Sequence, residues 1–200
     1  MTMPRDRQAE ASDDDLLALY AQGNRTAARL LTERLVPRVL AYASRLLAGD
    51  RAEAEDVAQE AMLRLWRAAP GWRSGEAKVS TWLYRVVTNL VTDRLRARGR
   101  RGGGHLPLDA GPEPEDAAPG ALAQMIDGQR MDALGRALAA LPDRQREAVV
   151  LRHLEGLGNP EIAAILGVGV EAVESLTARG KRALAAALQD QRDVLGYEGR

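Results

Sequence analysis

An all-α protein of two small helical domains joined by a flexible acidic linker is the fold class this sequence predicts, and three observations predict it. Apolar residues recur at three- and four-residue spacing through two tracts, about residues 12–98 and 129–190, and helices carry that period. Between them, over 99–128, the period gives way to Gly102-Gly103-Gly104 and to Pro107, Pro112, Pro114 and Pro119 set among Asp109, Glu113, Glu115 and Asp116. The third observation is the run from Leu157 to Leu176, which reads as two helices joined by one tight glycine-containing turn, a helix-turn-helix. Residues 1–11 read as a disordered N-terminal segment and 191–200 as a loose tail without a role.

The first helix opens at Ser12, which with Asp15 three residues on forms a capping box with Asp in place of Glu. It runs through Leu16, Leu17, Leu19 and Tyr20 and stops near Gly23. A long helix follows from Thr26 to Leu47, with a bend expected at Pro37. The third spans about Glu53 to Ala69, where Val57, Ala58, Ala61 and Leu65 form its apolar stripe and Pro70-Gly71 ends it. Its other face shows Glu53, Asp56, Gln59 and Glu60, which suits either a solvated surface or a docking site for a basic partner.

A fourth helix starts near Ser80 as N-cap and buries Leu83, Val86, Val87, Leu90 and Leu95. Opposite that stripe Arg85, Asn89, Asp93 and Arg96 fall in one line at helical spacing. Arginines can track phosphates while an asparagine amide offers donors and an acceptor to a base edge, so the line suits nucleic acid. The competing reading is an arginine-rich helix end that complements the helix dipole. Trp66, Trp72 and Trp82 serve either as core or as stacking platforms for bases. In the second tract Asn159 is placed to cap a helix with Pro160 in its first turn, and Gly167 supplies the sharp exit. Ala163 is small where the two helices cross, and Val168, Val173 and Leu176 form the wedge between them.

Composition narrows the function. The 28 basic and 28 acidic residues cancel, so any nucleic-acid face must come from local segregation of charge. With no cysteine and only 2 histidines, neither a disulfide framework nor a metal site is expected, and no cofactor is called for. The polar start and the lack of a long apolar run predict a cytoplasmic chain without membrane insertion. No glycine-rich phosphate loop or nucleophile-base arrangement points to an enzyme.

These residues resemble one family, the extracytoplasmic-function (group IV) sigma factors of the bacterial sigma-70 family. Asp56-Val57-Ala58-Gln59-Glu60-Ala61-Met62 is similar to region 2.2 of that family, and Ser80 to Arg85 with Asn89, Asp93 and Arg94 to regions 2.3 and 2.4. Leu141 to Glu147, Leu151-Arg152 and Glu155-Gly156-Leu157 resemble region 4.1, and the helix-turn-helix resembles region 4.2. The resemblance implies a sigma region 2 domain over 12–98 and a sigma region 4 domain over 129–190. It further implies binding to core RNA polymerase through Asp56, Gln59 and Glu60, and reading of a flipped minus-ten base by Asn89. Arg94 and Arg96 would hold the backbone beside it, with Arg85 and Asp93 on the same surface.

For the minus-thirty-five element the resemblance points to Arg152, Glu171, Glu174, Ser175, Arg179, Lys181 and Arg182. Family members commonly carry basic residues where Glu174 and Leu176 stand, a small or hydroxyl pair at Glu171-Ala172, and Ser-aromatic at Asn159-Pro160. Glutamate can nonetheless accept from a cytosine amino group in the major groove. An anti-sigma factor is the regulatory partner the family implies, and promoter DNA the ligand. A sigma-like decoy that sequesters a regulator, and a stand-alone helix-turn-helix regulator, are the alternative functions.

Overall fold

The computed structural model describes residues 11–73, 75, 77–100 and 121–189, the side chains of 121–127 and 129 excepted. The start of the N-terminal segment, the centre of the linker and the tail lie outside those residues. Among the described residues the regular structure is helical throughout, as expected.

Helix α1, Asp13–Ala21, has the capping box read from the sequence: Ser12 Oγ accepts from the Asp15 amide at 3.1 Å and Asp15 Oδ2 from the Ser12 amide at 3.3 Å. Helix α2, Arg25–Leu46, starts under Asn24, whose Oδ1 accepts from the amides of Thr26 and Ala27, and it runs on through Pro37. Pro37 is exposed, so water reaches the carbonyl that the missing N–H leaves unbonded. Helix α3, Arg51–Ala68, takes Asp50 as N-cap and ends in a short 3-10 turn, Ala69–Gly71. Helix α4, Val79–Arg100, begins one residue before Ser80, which therefore sits inside the first turn instead of capping it.

These four helices close around Leu16, Leu17, Leu31, Leu35, Leu65, Leu83 and Val87. Within the core the hydroxyls of Tyr42 and Thr88 pair at 2.8 Å, which satisfies both polar groups where water is absent. The tryptophans are partly buried against the same core: Trp66 stacks on Tyr20 with centroids 4.6 Å apart, and Trp72 meets Trp82 edge-on at 5.8 Å. Trp72 also donates its indole N–H to Asp14 at 2.9 Å.

The second tract contains α5, Ala121–Ala139, whose first turns occupy residues that the sequence pattern gave to the linker. Helix α6, Asp143–Val149, passes directly into a π turn, Val150–Leu154, in which the Glu155 amide bonds the Val150 carbonyl at 3.0 Å. Helices α7, Asn159–Leu166, and α8, Val170–Gln189, form the helix-turn-helix, and Gly167 between them adopts φ 65°, where only a residue without Cβ sits unstrained. The N-cap of α7 is Gly158, with Asn159 in the first turn; Glu161 Oε2 accepts from the Gly158 amide at 3.1 Å. Val173 is fully buried between α7 and the rest of the module, flanked by Val168 and Leu176, as the wedge pattern predicts.

The two tracts pack on one another, α7 against α4 and α5 against α2, and their buried side chains form one continuous core. Arg146 of α6 is central to that contact. Its guanidinium, 7% exposed, donates to the carbonyls of Leu138, Ala139 and Leu141 near the end of α5 and to Leu46 at the end of α2. Burial pulls its pKa down, and the nearby Asp143 and Glu147 carboxylates act in the opposite direction.

Candidate nucleic-acid and partner interfaces

Helix α4 positions the predicted minus-ten face. Its apolar side packs onto α2 and α3, so the register leaves Arg85, Asn89, Asp93 and Arg96 on the outer surface, all exposed. Asn89 makes no hydrogen bond within the described residues, and its amide is free to meet a ligand. Arg96 has only a loose 4.0 Å approach to Asp93, an exposed pair that holds neither side chain firmly. Arg94 is placed differently: its Nε lies 3.1 Å from Glu53 on α3, and Arg98 reaches both Glu53 and the N-cap Asp50. In this conformation Arg94 braces α4 against the start of α3.

On α3, Asp56 and Gln59 are exposed and Glu60 is paired with Arg64 at 2.8 Å. The hydrogen bond from Arg64 lowers the Glu60 pKa. Beside it lies an apolar groove of about 330 Å³ between α2 and α3, lined by Val36, Leu40, Ala58, Met62, Leu63 and Trp66, with Gln59 at its edge. The sequence reading did not single out this groove. Its signal is Leu63, 41% exposed and out of phase with the buried stripe of Val57, Ala61 and Leu65.

Helix α8 carries the predicted minus-thirty-five residues, and Glu171, Glu174, Ser175, Arg179, Lys181 and Arg182 are all exposed. Carboxylates occupy the N-terminal turns and cations the following two, so charge segregates along the helix despite the neutral composition. Glu171 lies in the first turn, where the helix dipole favours a negative charge. Glu174 Oε1 accepts from Asn159 Nδ2 at 3.3 Å, which ties the start of α7 to α8. Two of the departures from the usual pattern thus meet in one contact. Arg152, on the π turn, is exposed and donates to the Leu157 carbonyl at 3.0 Å. No helix among the described residues is long and apolar enough to cross a membrane, and none of their acidic and histidine side chains cluster as metal ligands.

A helix-turn-helix joined to a second helical module with an exposed polar face is an arrangement that DNA-binding proteins use. Residues 31–101 match the family model for sigma-70 region 2 and residues 131–184 that for sigma-70 region 4. The chain is 32% identical over 183 residues to the ECF RNA polymerase sigma-E factor of Escherichia coli, covering 88% of this chain and 93% of that one. It is 38% identical over 158 residues to the ECF RNA polymerase sigma factor SigE of Mycolicibacterium smegmatis, across 77% of this chain but only 58% of that longer relative. Among solved structures, CnrH in complex with the cytosolic domain of CnrY superposes with a TM-score of 0.65 at 26% identity, covering 90% of this chain and 99% of that one. The chain belongs to the extracytoplasmic-function sigma factors of the sigma-70 family.

Proposed function

We propose that this chain is the promoter-recognition subunit of a bacterial RNA polymerase, acting in the cytoplasm without catalytic chemistry of its own, with residues 12–98 and 129–190 as its two working domains. The observation that carries the reading is the line Arg85, Asn89, Asp93 and Arg96, exposed along α4 with the Asn89 amide unpaired. An amide between cations can reward one extruded base while the cations hold phosphate, and this couples recognition to melting. Arg94, held by Glu53, supports the face from behind in the free chain.

Run-off transcription with purified bacterial core polymerase tests this. The Asn89→Ala variant is expected to lose about tenfold or more in promoter-specific transcript, in line with the ~1–3 kcal/mol a bidentate base contact supplies. Unchanged transcript and unchanged base preference at the minus-ten position would remove Asn89 from that role.

Core polymerase binding is assigned to Asp56, Gln59 and Glu60 together with the adjoining groove. A partner helix would seat apolar side chains around Leu63 while its basic residues meet the acidic rim. Leu63→Glu is expected to weaken core binding at least tenfold while leaving the melting temperature unchanged, because the side chain projects outward. A melting shift without loss of core binding would contradict this assignment. CnrH is bound by the cytosolic domain of CnrY, and a regulator of that kind covering the same groove is the proposed means of control. The decoy alternative is raised by Glu171, Glu174 and Leu176; the helix dipole at Glu171, the Asn159 contact of Glu174 and the packing of Leu176 against the core support a structural reading of these residues.

A further inference from the structure

From Asp143 onward, every described carboxylate but one is held by the fold. Asp143 lies 3.2 Å from Arg146 and Glu147 3.1 Å from Arg144. Glu155, which leaves the π turn, sits 2.8 Å from Arg45 Nη1 and accepts from the Tyr84 hydroxyl at 2.5 Å. Glu161 takes Lys78 and the Gly158 amide, and Glu174 takes the Asn159 side chain. Glu171 is the exception: it is exposed and makes no hydrogen bond or ion pair within the described residues. The dipole of α8 favours a negative charge at that position and leaves both carboxylate oxygens open to a ligand.

Glu171 also lies on the outermost line of the recognition helix. Val173 and Gly180 are the buried residues of α8, and the line opposite them runs Glu171, Ser175, Ala178 and Arg182, at spacings of four, three and four, all exposed. In a helix-turn-helix the leading residues of the second helix meet base edges in the major groove, and the leading residue of this line is Glu171. Ser175 and Ala178 behind it are small, so the helix can approach the groove floor closely. Arg179, Lys181 and Arg182, exposed farther along, can hold phosphates and offset the repulsion of a carboxylate carried between the strands.

A carboxylate only accepts hydrogen bonds. Guanine presents two acceptors in the major groove, and thymine an acceptor and a methyl group, so neither gives Glu171 a donor. Adenine's amino group stands beside its N7 acceptor, which repels the second carboxylate oxygen. Cytosine offers its N4 amino group with no acceptor of its own on that edge. We propose that Glu171 specifies a cytosine in the minus-thirty-five element of this chain's promoters, while Glu174 braces α7 against α8. The inference rests on the promoter-reading function above and names the base that its second recognition surface selects.

The test uses holoenzyme assembled from the full chain and bacterial core polymerase, on a promoter first recovered from genomic DNA by run-off transcription and then randomised across its minus-thirty-five element. Sequencing the templates held in heparin-resistant complexes reads the preference at each position. Wild type is expected to favour cytosine at one position at least tenfold over guanine and thymine. Glu171→Gln is expected to move that preference to adenine, because a carboxamide both accepts from N6 and donates to N7. Glu171→Ala is expected to flatten it, and Glu174→Gln to leave it in place. A purely structural role for Glu171 would weaken binding to all sequences alike and rewrite no position.

Replacing the selected cytosine by 2-pyrimidinone, which lacks the amino group, is expected to cost wild type at least tenfold in binding and Glu171→Ala less than threefold. Base preferences unchanged in both Glu171 variants, a shift caused by Glu174→Gln alone, or equal losses on 2-pyrimidinone would each overturn the proposal. Failure of the wild-type holoenzyme to make any specific transcript from genomic DNA is a different result, which removes the promoter-reading function itself and this inference with it.

Discussion

Arg146→Ala is expected to destabilise the C-terminal module by about 3–5 kcal/mol, since it takes a charged donor from several buried carbonyls at roughly 1–3 kcal/mol for each acceptor left unsatisfied. The guanidinium serves four backbone carbonyls on two helices, and alanine leaves those acceptors in a site that water does not readily fill. Three of them lie between Leu138 and Leu141, at the C-terminal end of α5, where the Leu138 carbonyl also accepts from the Leu141 amide at 3.1 Å. The fourth belongs to Leu46, so the same substitution loosens the junction.

Probes separate the two effects, since all three tryptophans, at 66, 72 and 82, report on the N-terminal module alone. In urea the helical signal of the variant is expected to fall in two steps, the first at lower concentration than the tryptophan transition. Arg146→Lys is not expected to rescue, because a point ammonium cannot direct donors at four carbonyls in a fan. Coincident transitions at the wild-type midpoint would show that these bonds contribute little.

Arg146 also marks where sequence reasoning stops. A charged residue three after Asp143 on a short helix reads as a solvated i,i+3 partner, and the Arg146–Asp143 pair does exist at 3.2 Å. That its guanidinium is buried follows from Leu46, 100 residues earlier, and no local pattern carries that distance. Glu155 is likewise set by tertiary structure. The π turn that re-aims it lies inside an ordinary apolar run, Val149-Val150-Leu151, which suits an α-helix equally well.

What was legible is what depends on neighbours in the chain. The Ser12–Asp15 box, the Gly167 turn and the outward line on α4 depend on contacts within a turn or two, so spacing alone predicts them. The one-residue slip from Asn159 to Gly158 at the α7 start has a local cause as well: Glu161 sits three residues after Gly158 and reaches back to its amide. Arg94 illustrates the opposite case. The resemblance places it beside the extruded base, while its partner in the fold, Glu53, is 41 positions away and no local pattern announces it.

Gly180→Ala gains intrinsic helix propensity of about 1 kcal/mol, yet it is expected to destabilise the C-terminal module by about 1–2 kcal/mol net, with Gly180→Val costing more. The reason is the crossing of α8 over α6. A Cβ at Gly180 would stand 2.6 Å from Val149 Cγ2 and 3.1 Å from the Gln145 carbonyl oxygen. Val149 is buried and β-branched, which restricts its χ1 in a helix, and the carbonyl belongs to a helix backbone. The helices must separate.

Separation matters beyond stability, because α8 carries Glu171 to Arg182 and α6 leads into the π turn that holds Glu155. A shift at this crossing therefore re-aims the proposed DNA face and disturbs the junction together. A double-mutant cycle isolates the contact. Val149→Ala alone costs the usual ~1–3 kcal/mol of a buried truncation, but combined with Gly180→Ala it vacates the space the new methyl needs. The pair is expected to be at least ~1 kcal/mol more stable than the sum of the singles predicts, read from urea midpoints of the helical signal. Additive behaviour would mean that the crossing relaxes elsewhere and that Gly180 is not what sets the approach of the recognition helix.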